Sequence, residues 1–287
     1  MPLWSGPAFD AEVMSLETPR LDLDATYRDV VASMRARGRI LVAFSGGVDS
    51  GLVAKLARDA LGDAALAVLA DAESLPRHEF QEAVEEAREI GIPLKVLPVS
   101  ELANDAYAAN PSNRCYFCRK ELGRSLRPLA EELGFGTIAD GVNLSDLGDY
   151  RPGIQAMNEE GFWHPLVEHR LGKAEVRALA RHLGLSFHAK PSNACLSSRI
   201  AYGEVITLEK LQRVDEAEAA VRALGFPVVR VRAHEGVARI EVPREDIPRI
   251  TAPEVSEKVL AAVRGAGFVY VTVDLRGYRS GSMNEEL

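Results

Sequence analysis

The sequence predicts an α/β protein, a parallel-sheet domain followed by a smaller α+β unit. Three observations carry that expectation. Strand-like and helix-like segments alternate through residue 202, the order that builds βαβ crossovers and a parallel sheet. Ile40-Leu41-Val42-Ala43-Phe44 is an unbroken apolar run, the mark of a strand buried on both faces. Beyond Tyr202-Gly203 the order becomes helix, strand, strand, helix, strand, reminiscent of a ferredoxin-like split motif. The expected division is an irregular segment over 1–25, a first domain over 26–202 and a second over 203–287.

A helix ending near Arg37-Gly38 leads into the first strand. After a Gly-Gly turn, Leu52, Val53, Leu56, Ala57, Ala60 and Leu61 recur at helical spacing. Residues 64–70 read as the second strand. Pro76 opens a helix with an apolar face of Phe80, Val84, Ala87 and Ile90, and Gly91 closes it. Strands are expected over 93–99 and 137–140, with a helix over 116–133 between them. His164-Pro165-Leu166 reads as a strand or loop stop with a structural histidine. The second unit should hold helices over 207–224 and 254–263 and strands over 228–232, 237–242 and 268–274.

A chain of 287 residues, 47% hydrophobic and 26% charged, is neither disordered nor fibrous and has enough apolar mass for a sizeable core. Its 34 basic against 42 acidic residues leave a net charge of −8, a poor counterion for a phosphate backbone, so no nucleic-acid partner is expected. No uncharged apolar stretch approaches the ~18 residues of a membrane helix, and residues 1–10 lack the pattern of a secretory leader. Three cysteines, an odd count, argue against a disulfide framework and for a cytoplasmic protein whose thiols bind metal or react.

Ser45-Gly46-Gly47-Val48-Asp49-Ser50 lies between the first strand and a helix. The glycines allow a tight turn that presents N–H groups to an anion. The serine hydroxyls and the helix N-terminus add further donors and partial positive charge. Asp49 makes sense in an anion site when a cation such as Mg²⁺ bridges it to phosphate oxygens. Taken alone, the segment is also compatible with a capped turn; it is not a Walker A loop, because it lacks Gly-Lys-Ser.

Cys115-Tyr116-Phe117-Cys118 stands at the mouth of the fourth helix, and Cys195 lies far downstream in Asn193-Ala194-Cys195-Leu196-Ser197-Ser198-Arg199. Three thiolates on a [4Fe-4S] cubane leave its fourth iron without a protein ligand, open to carry sulfide. Two other readings remain: zinc held by these cysteines with a histidine such as His188, and a Cys115–Cys118 redox disulfide attacked by Cys195.

The hexapeptide at 45–50 resembles the pyrophosphatase loop, or PP-loop, of N-type ATP pyrophosphatases. Together with residues 114–122, Asp140-Gly141-Val142-Asn143, Arg151-Pro152-Gly153, 194–203 and 274–285, it is similar to the LarE family of sulfur transferases. The likeness runs from about Arg37 to the C-terminus. It implies a PP-loop ATP pyrophosphatase domain, AMP and PPi formation, and conversion of a carboxylate of pyridinium-3,5-biscarboxylic acid mononucleotide to a thiocarboxylate. The extra C-x-x-C looks like the [4Fe-4S]-dependent branch of that family, with Cys115, Cys118 and Cys195 as ligands and an external sulfide donor. ATP would then lie on Ser45, Gly46, Gly47, Val48, Asp49 and Ser50, with Mg²⁺ on Asp49 and the adenine near Ala70 and Gly141. Arg199 is expected on a phosphate or developing charge, and Arg230 and Arg232 on the substrate phosphate. Asp146, Asp149 and Arg151 are expected to order a loop over the nucleotide, and Glu216 and Glu218 to be solvated. A homo-oligomer is expected. A tRNA-thiolating enzyme and an amidating synthetase with structural zinc are the competing readings.

Overall fold

The computed structural model describes residues 22–148, 151–191 and 194–279. Most of the segment at 1–25 therefore lies outside the described residues, as do Asp149, Asn193 and the last motif beyond residue 279. In the first part, α1 (Leu23–Arg37), β1 (Ile40–Phe44), α2 (Val48–Leu61), β2 (Ala65–Ala72), α3 (Arg77–Ile90) and β3 (Leu94–Val99) alternate. The one-turn α4 (Asp105–Ala108), the long α5 (Arg114–Leu133) and β4 (Thr137–Ala139) follow. Three helices then come before the second unit: α6 (Pro152–Glu159), α7 (Pro165–Glu168) and α8 (Lys173–His182). The strand or stop expected at His164-Pro165-Leu166 is the start of α7, because proline pre-sets the first helical φ.

The four strands pair in parallel in the order β3-β2-β1-β4. Alternation along β1 sends Ile40, Val42 and Phe44 into a core with α1, α2 and α8, and Leu41 into a second core with Leu126 and Leu129 of α5. Both faces of the sheet are thus covered, which is why β1 reads as a continuous apolar run. The loop after β1, the turn at Glu101 after β3 and Asp140-Gly141 after β4 leave the C-terminal edge of this sheet, where open α/β sheets bind ligands.

The second unit comprises α9 (Leu208–Ala223), β5 (Arg230–His234), β6 (Val237–Glu241), α10 (Ile247–Ile250), α11 (Pro253–Gly265) and β7 (Tyr270–Val273). β5 and β6 are antiparallel, whereas β7 joins β6 directly in parallel. The expected split motif is therefore corrected: no strand is inserted between the parallel pair, because α11 returns the chain to the position beside β6. The core of this unit reaches back before Tyr202, taking Tyr107, Leu196 and Ile200 alongside Val214, Phe226 and Val231. Ile200 also bridges Ala233 at the end of β5.

Gly141, just past β4, rests on the first turn of α2: a Cβ there would lie 2.5 Å from the Ser50 backbone N. Backbone cannot swing aside as a side-chain tip can, so Gly141→Ala must displace β4 from α2. A loss of about 1–3 kcal/mol in urea unfolding is expected; an unchanged midpoint would show that the two segments can separate freely.

Candidate active site

The loop between β1 and α2 is shaped by two glycines and two serines. Gly46 has φ +68°, and a Cβ on it would come within 2.5 Å of the Ala83 Cβ of α3, so the position is closed to any side chain. Ser50 Oγ accepts from the Ser45 N–H at 3.1 Å, lies 3.0 Å from Ser45 Oγ and donates to the Gly47 carbonyl at 3.2 Å. Val48 is buried among apolar residues, so only its backbone faces the loop. Asp49 enters α2 on its first turn and accepts from Asn143 Nδ2 at 3.3 Å. Burial, and then the charge of Asp146, push the Asp49 carboxyl up, a penalty that a bound cation would remove. Asp146 is itself paired with Arg151 at 3.0 Å and Lys173 at 3.4 Å. Ala70 stands on β2 opposite Leu97.

A residue that the sequence reading did not single out supports this loop from behind. Lys190 Nζ donates to the Gly46 carbonyl at 2.9 Å and lies 2.6 Å from Glu86 and 2.9 Å from Glu82. His164, as a structural histidine, bonds Asp140 Oδ1 at 2.7 Å and Asn158 at 3.0 Å.

Cys115 and Cys118 lie in the first two turns of α5, and Cys195 precedes a short 3₁₀ turn over Leu196–Arg199. All three are free thiols. Asn110 joins the two segments. Fully buried and with φ +53°, it donates from Nδ2 to the carbonyls of Ile200 at 3.3 Å and Ala201 at 2.7 Å, and accepts from Arg114 at 3.0 Å. Its own carbonyl takes the Gly203 N–H. Asparagine tolerates this backbone region better than most residues. A second tie runs from Glu101 through Tyr107 Oη at 3.0 Å to Ser197 Oγ at 2.5 Å.

The thiols feel one another. Burial and then the charge of Cys115 push the Cys195 thiol up, while burial and then Glu101 raise Cys118. Among the described residues no three His, Cys, Asp or Glu side chains are gathered to hold a single metal ion. His188, considered above for zinc, places Nδ1 2.9 Å from the Leu185 carbonyl. A cavity of about 790 Å³ opens beside Leu196 at the ends of β2 and β3, with Asp71, Glu73, Ser100 and Asp215 among its walls.

Two arginine assignments change. Arg199 has no exposed surface and pairs with Glu218, equally buried, at 2.9 Å. Its remaining guanidinium edge caps the carbonyls of Ala194 and Cys195. It fixes the Cys195 backbone and has no face left for a phosphate. Glu218, expected to be solvated, also accepts from Arg222 at 2.7 Å and the Val231 N–H at 3.0 Å. The signal was its place on the stripe Leu211, Val214, Glu218, Val221, all buried on α9; Glu216 is exposed. Arg232 is turned inward onto Glu241 at 2.7 Å and the Ser198 carbonyl at 3.0 Å. Arg230 keeps a half-open guanidinium over the Tyr278 ring at 5.5 Å.

A glycine-lined anion loop between β1 and α2 on a parallel sheet defines a PP-loop ATP pyrophosphatase, and residues 22–118 match the family model described as NAD synthase. A pyridinium-3,5-bisthiocarboxylic acid mononucleotide synthase of Lactiplantibacillus plantarum is 39% identical over 259 residues, covering 90% of this chain and 93% of its own. The chain therefore belongs to the family of that synthase, the LarE family. An uncharacterized protein of Synechocystis sp. is 49% identical over 249 residues, 87% of this chain and 93% of its own. A glutamine-hydrolyzing GMP synthase of Brucella melitensis is 32% identical over 211 residues, 63% of this chain and 40% of its own.

Removing Glu218 leaves Arg199 buried without its charge partner. Glu218→Ala is expected to cost about 3–5 kcal/mol in urea unfolding and to speed alkylation of Cys195. A loss below about 1 kcal/mol, the range of exposed pairs, would contradict the burial of this pair. Glu79, at the start of α3, is buried, and burial pushes its carboxyl from 4.5 to about 7 despite the nearby charges of Arg199, Arg230 and Lys190. Between those two values the native carboxyl keeps a proton that the unfolded chain has lost, so stability falls as pH rises through the window. Relative to the parent, Glu79→Gln should therefore gain roughly 2–3 kcal/mol on going from pH 5 to pH 8. Equal pH profiles for the two proteins would contradict it.

Proposed function

We propose that the protein is an ATP-dependent sulfur transferase that adenylates a carboxylate of pyridinium-3,5-biscarboxylic acid mononucleotide and replaces the adenylate by sulfur. The observation that carries this reading is that the three free thiols stand on two segments, the start of α5 and the Cys195 turn, that Asn110 ties to one another.

The PP-loop backbone with Ser45, Gly46, Gly47, Val48 and Ser50 would receive the β and γ phosphates of ATP, and Asp49 would hold Mg²⁺. The adenine would meet the backbone near Ala70 and Gly141. Arg230 is the better placed of the two strand arginines for the substrate's phosphate, since Arg232 is engaged by Glu241. In the first step a carboxylate oxygen bonds to the α-phosphorus as the bond to pyrophosphate breaks. In the second a sulfur bonds to the acyl carbon, and the carbon–oxygen bond to AMP breaks with its electron pair leaving on AMP. Adenylation is needed because a free carboxylate has no adequate leaving group.

In this reading Cys115, Cys118 and Cys195 would hold an iron–sulfur cluster, with the cations Arg114, Arg119 and Arg199 acting on the thiols to offset their charge. A [4Fe-4S] cluster so held supplies, when bound, an iron that can carry sulfide from an external donor. The chain's own contribution is to keep the Cys195 carbonyl fixed by Arg199 and the C-x-x-C turn fixed by Asn110. The expected setting is a homo-oligomer in the cytoplasm acting on a small molecule. Among the described residues no helix is long and apolar enough to cross a membrane.

The test is anaerobic purification with sulfide supplied. About four irons per chain, AMP and PPi release dependent on the dicarboxylate mononucleotide, and several thiocarboxylates per chain are expected, all lost in Cys195→Ala. Stoichiometric zinc without acid-labile sulfide, or full turnover by Cys195→Ala, would overturn the proposal.

A further inference from the structure

Lys190 reaches the back of the PP-loop from a segment that is itself anchored. Arg177 of α8 donates to the carbonyls of His188 at 3.1 Å and Lys190 at 2.7 Å, and the Lys190 N–H bonds the Phe187 carbonyl at 2.9 Å. The Phe187 ring packs on the first turn of α2, where a Cβ on Gly51 would lie 2.5 Å from its Cε2. From that base Lys190 places its ammonium among three oxygens: Glu86 Oε1 at 2.6 Å, Glu82 Oε2 at 2.9 Å and the Gly46 carbonyl at 2.9 Å. Three acceptors match the three N–H donors of an ammonium, so none is left over for a phosphate. The cluster also carries a cost. Glu86 is buried, and its Oε2, which would lie 3.4 Å from a Cβ on Gly46, has no hydrogen-bond partner. A carboxylate oxygen left unsatisfied at that depth is unfavourable, and here it sits directly behind the phosphate loop.

What the ammonium holds is one end of a peptide plane. The Gly46–Gly47 peptide is trans, so its N–H points opposite to its carbonyl. With the Gly46 carbonyl turned back onto Lys190, the Gly47 N–H is aimed out of the other side of the loop. Gly47 is the N-cap of α2, no side chain caps that helix, and no acceptor takes the Gly47 N–H among the described residues. That donor therefore stands where the N-terminus of α2 meets an anion. A peptide between two glycines is the least restrained kind of backbone, so its orientation needs a hold from outside the loop.

We propose that Lys190 is a positioning residue for ATP: it fixes the Gly46–Gly47 peptide so that the Gly47 N–H, and not the Gly46 carbonyl, faces the triphosphate. It never touches the nucleotide. Its loss lets the peptide turn over and present a carbonyl oxygen to the phosphates, and leaves Glu82 and Glu86 as uncompensated negative charge behind them. The inference rests on the nucleotide part of the proposed function.

The test is calorimetric titration of the anaerobically purified full chain with MgATP, without carboxylate substrate, beside a thermal melt of each variant. Lys190→Met, which keeps the apolar stem, should weaken ATP about 10- to 100-fold and lower the thermal midpoint. Adding Glu86→Gln removes the stranded charge, so the double variant should regain the midpoint while ATP binding stays weak. In Lys190→Ala, propylammonium replaces the deleted atoms and should recover part of the ATP affinity; tetramethylammonium, which has no N–H to donate, should not. Parent-strength ATP binding in Lys190→Met would overturn the role of Lys190. Recovery of ATP binding together with the midpoint in the double variant would overturn it too, since Lys190 would then act through stability alone. No ATP binding by the parent would instead overturn the nucleotide reading itself.

Discussion

The buried pair of Arg199 and Glu218 is the constraint on which the arrangement of the site depends. Neither side chain has solvent to fall back on, so each must find all its partners inside the protein. Arg199 does so by turning its remaining donors onto the carbonyls of Ala194 and Cys195. Glu218 does so by accepting from Arg222 and from the backbone of β5. One ion pair therefore ties the turn carrying Cys195 to α9 and to the second sheet. The isolation that makes the pair costly to break also makes the position of Cys195 definite.

Asn110 performs the complementary task from the other side. Its side chain and carbonyl bind the chain just after the Cys195 turn, and the residue itself leads into the C-x-x-C helix. Tyr107 and Ser197 repeat the link a few residues away. Lys190, five residues before Cys195, reaches the Gly46 carbonyl. Lys190 and Cys195, which serve the proposed phosphate and sulfur ends, thus stand five residues apart in the chain.

Much of this was legible in the sequence where the determinants are local. The apolar run of β1, the glycines of the loop and the periodicity of α2 and α3 each depend on neighbours within a few positions, and the structure has them where they were expected. The parallel direction of the strands needed only the rule that alternating strands and helices build βαβ crossovers. The failures share a cause. Glu218 sits in a charged stretch with Asp215 and Glu216, which reads as a wet helix face; its burial is decided by Arg199, far away in the chain. Arg232 looked like half of an anion site because Glu241 is opposed to it only once β5 and β6 are paired. The split motif turns on strand order, which spacing does not encode. Helices α6 and α8 lie in a stretch that offered no strand signal to frame them. The proposed thiol site rests on count and spacing alone in the sequence; Asn110, which ties the α5 segment to the chain after Cys195, looks there like one more polar loop residue.

The Asn110 clasp also dictates an order of assembly. Its acceptors lie about ninety residues downstream, and the Arg199 anchor needs β5, further on still. A chain leaving the ribosome exposes Cys115 and Cys118 first, then Cys195, and only later the strand that completes the anchor. The parallel sheet with the loop between β1 and α2 can be complete before the ties around Cys195 are available, so the proposed sulfur centre is anchored only after the sheet, and a nascent chain stalled before β5 would carry a finished loop and an unanchored Cys195 turn.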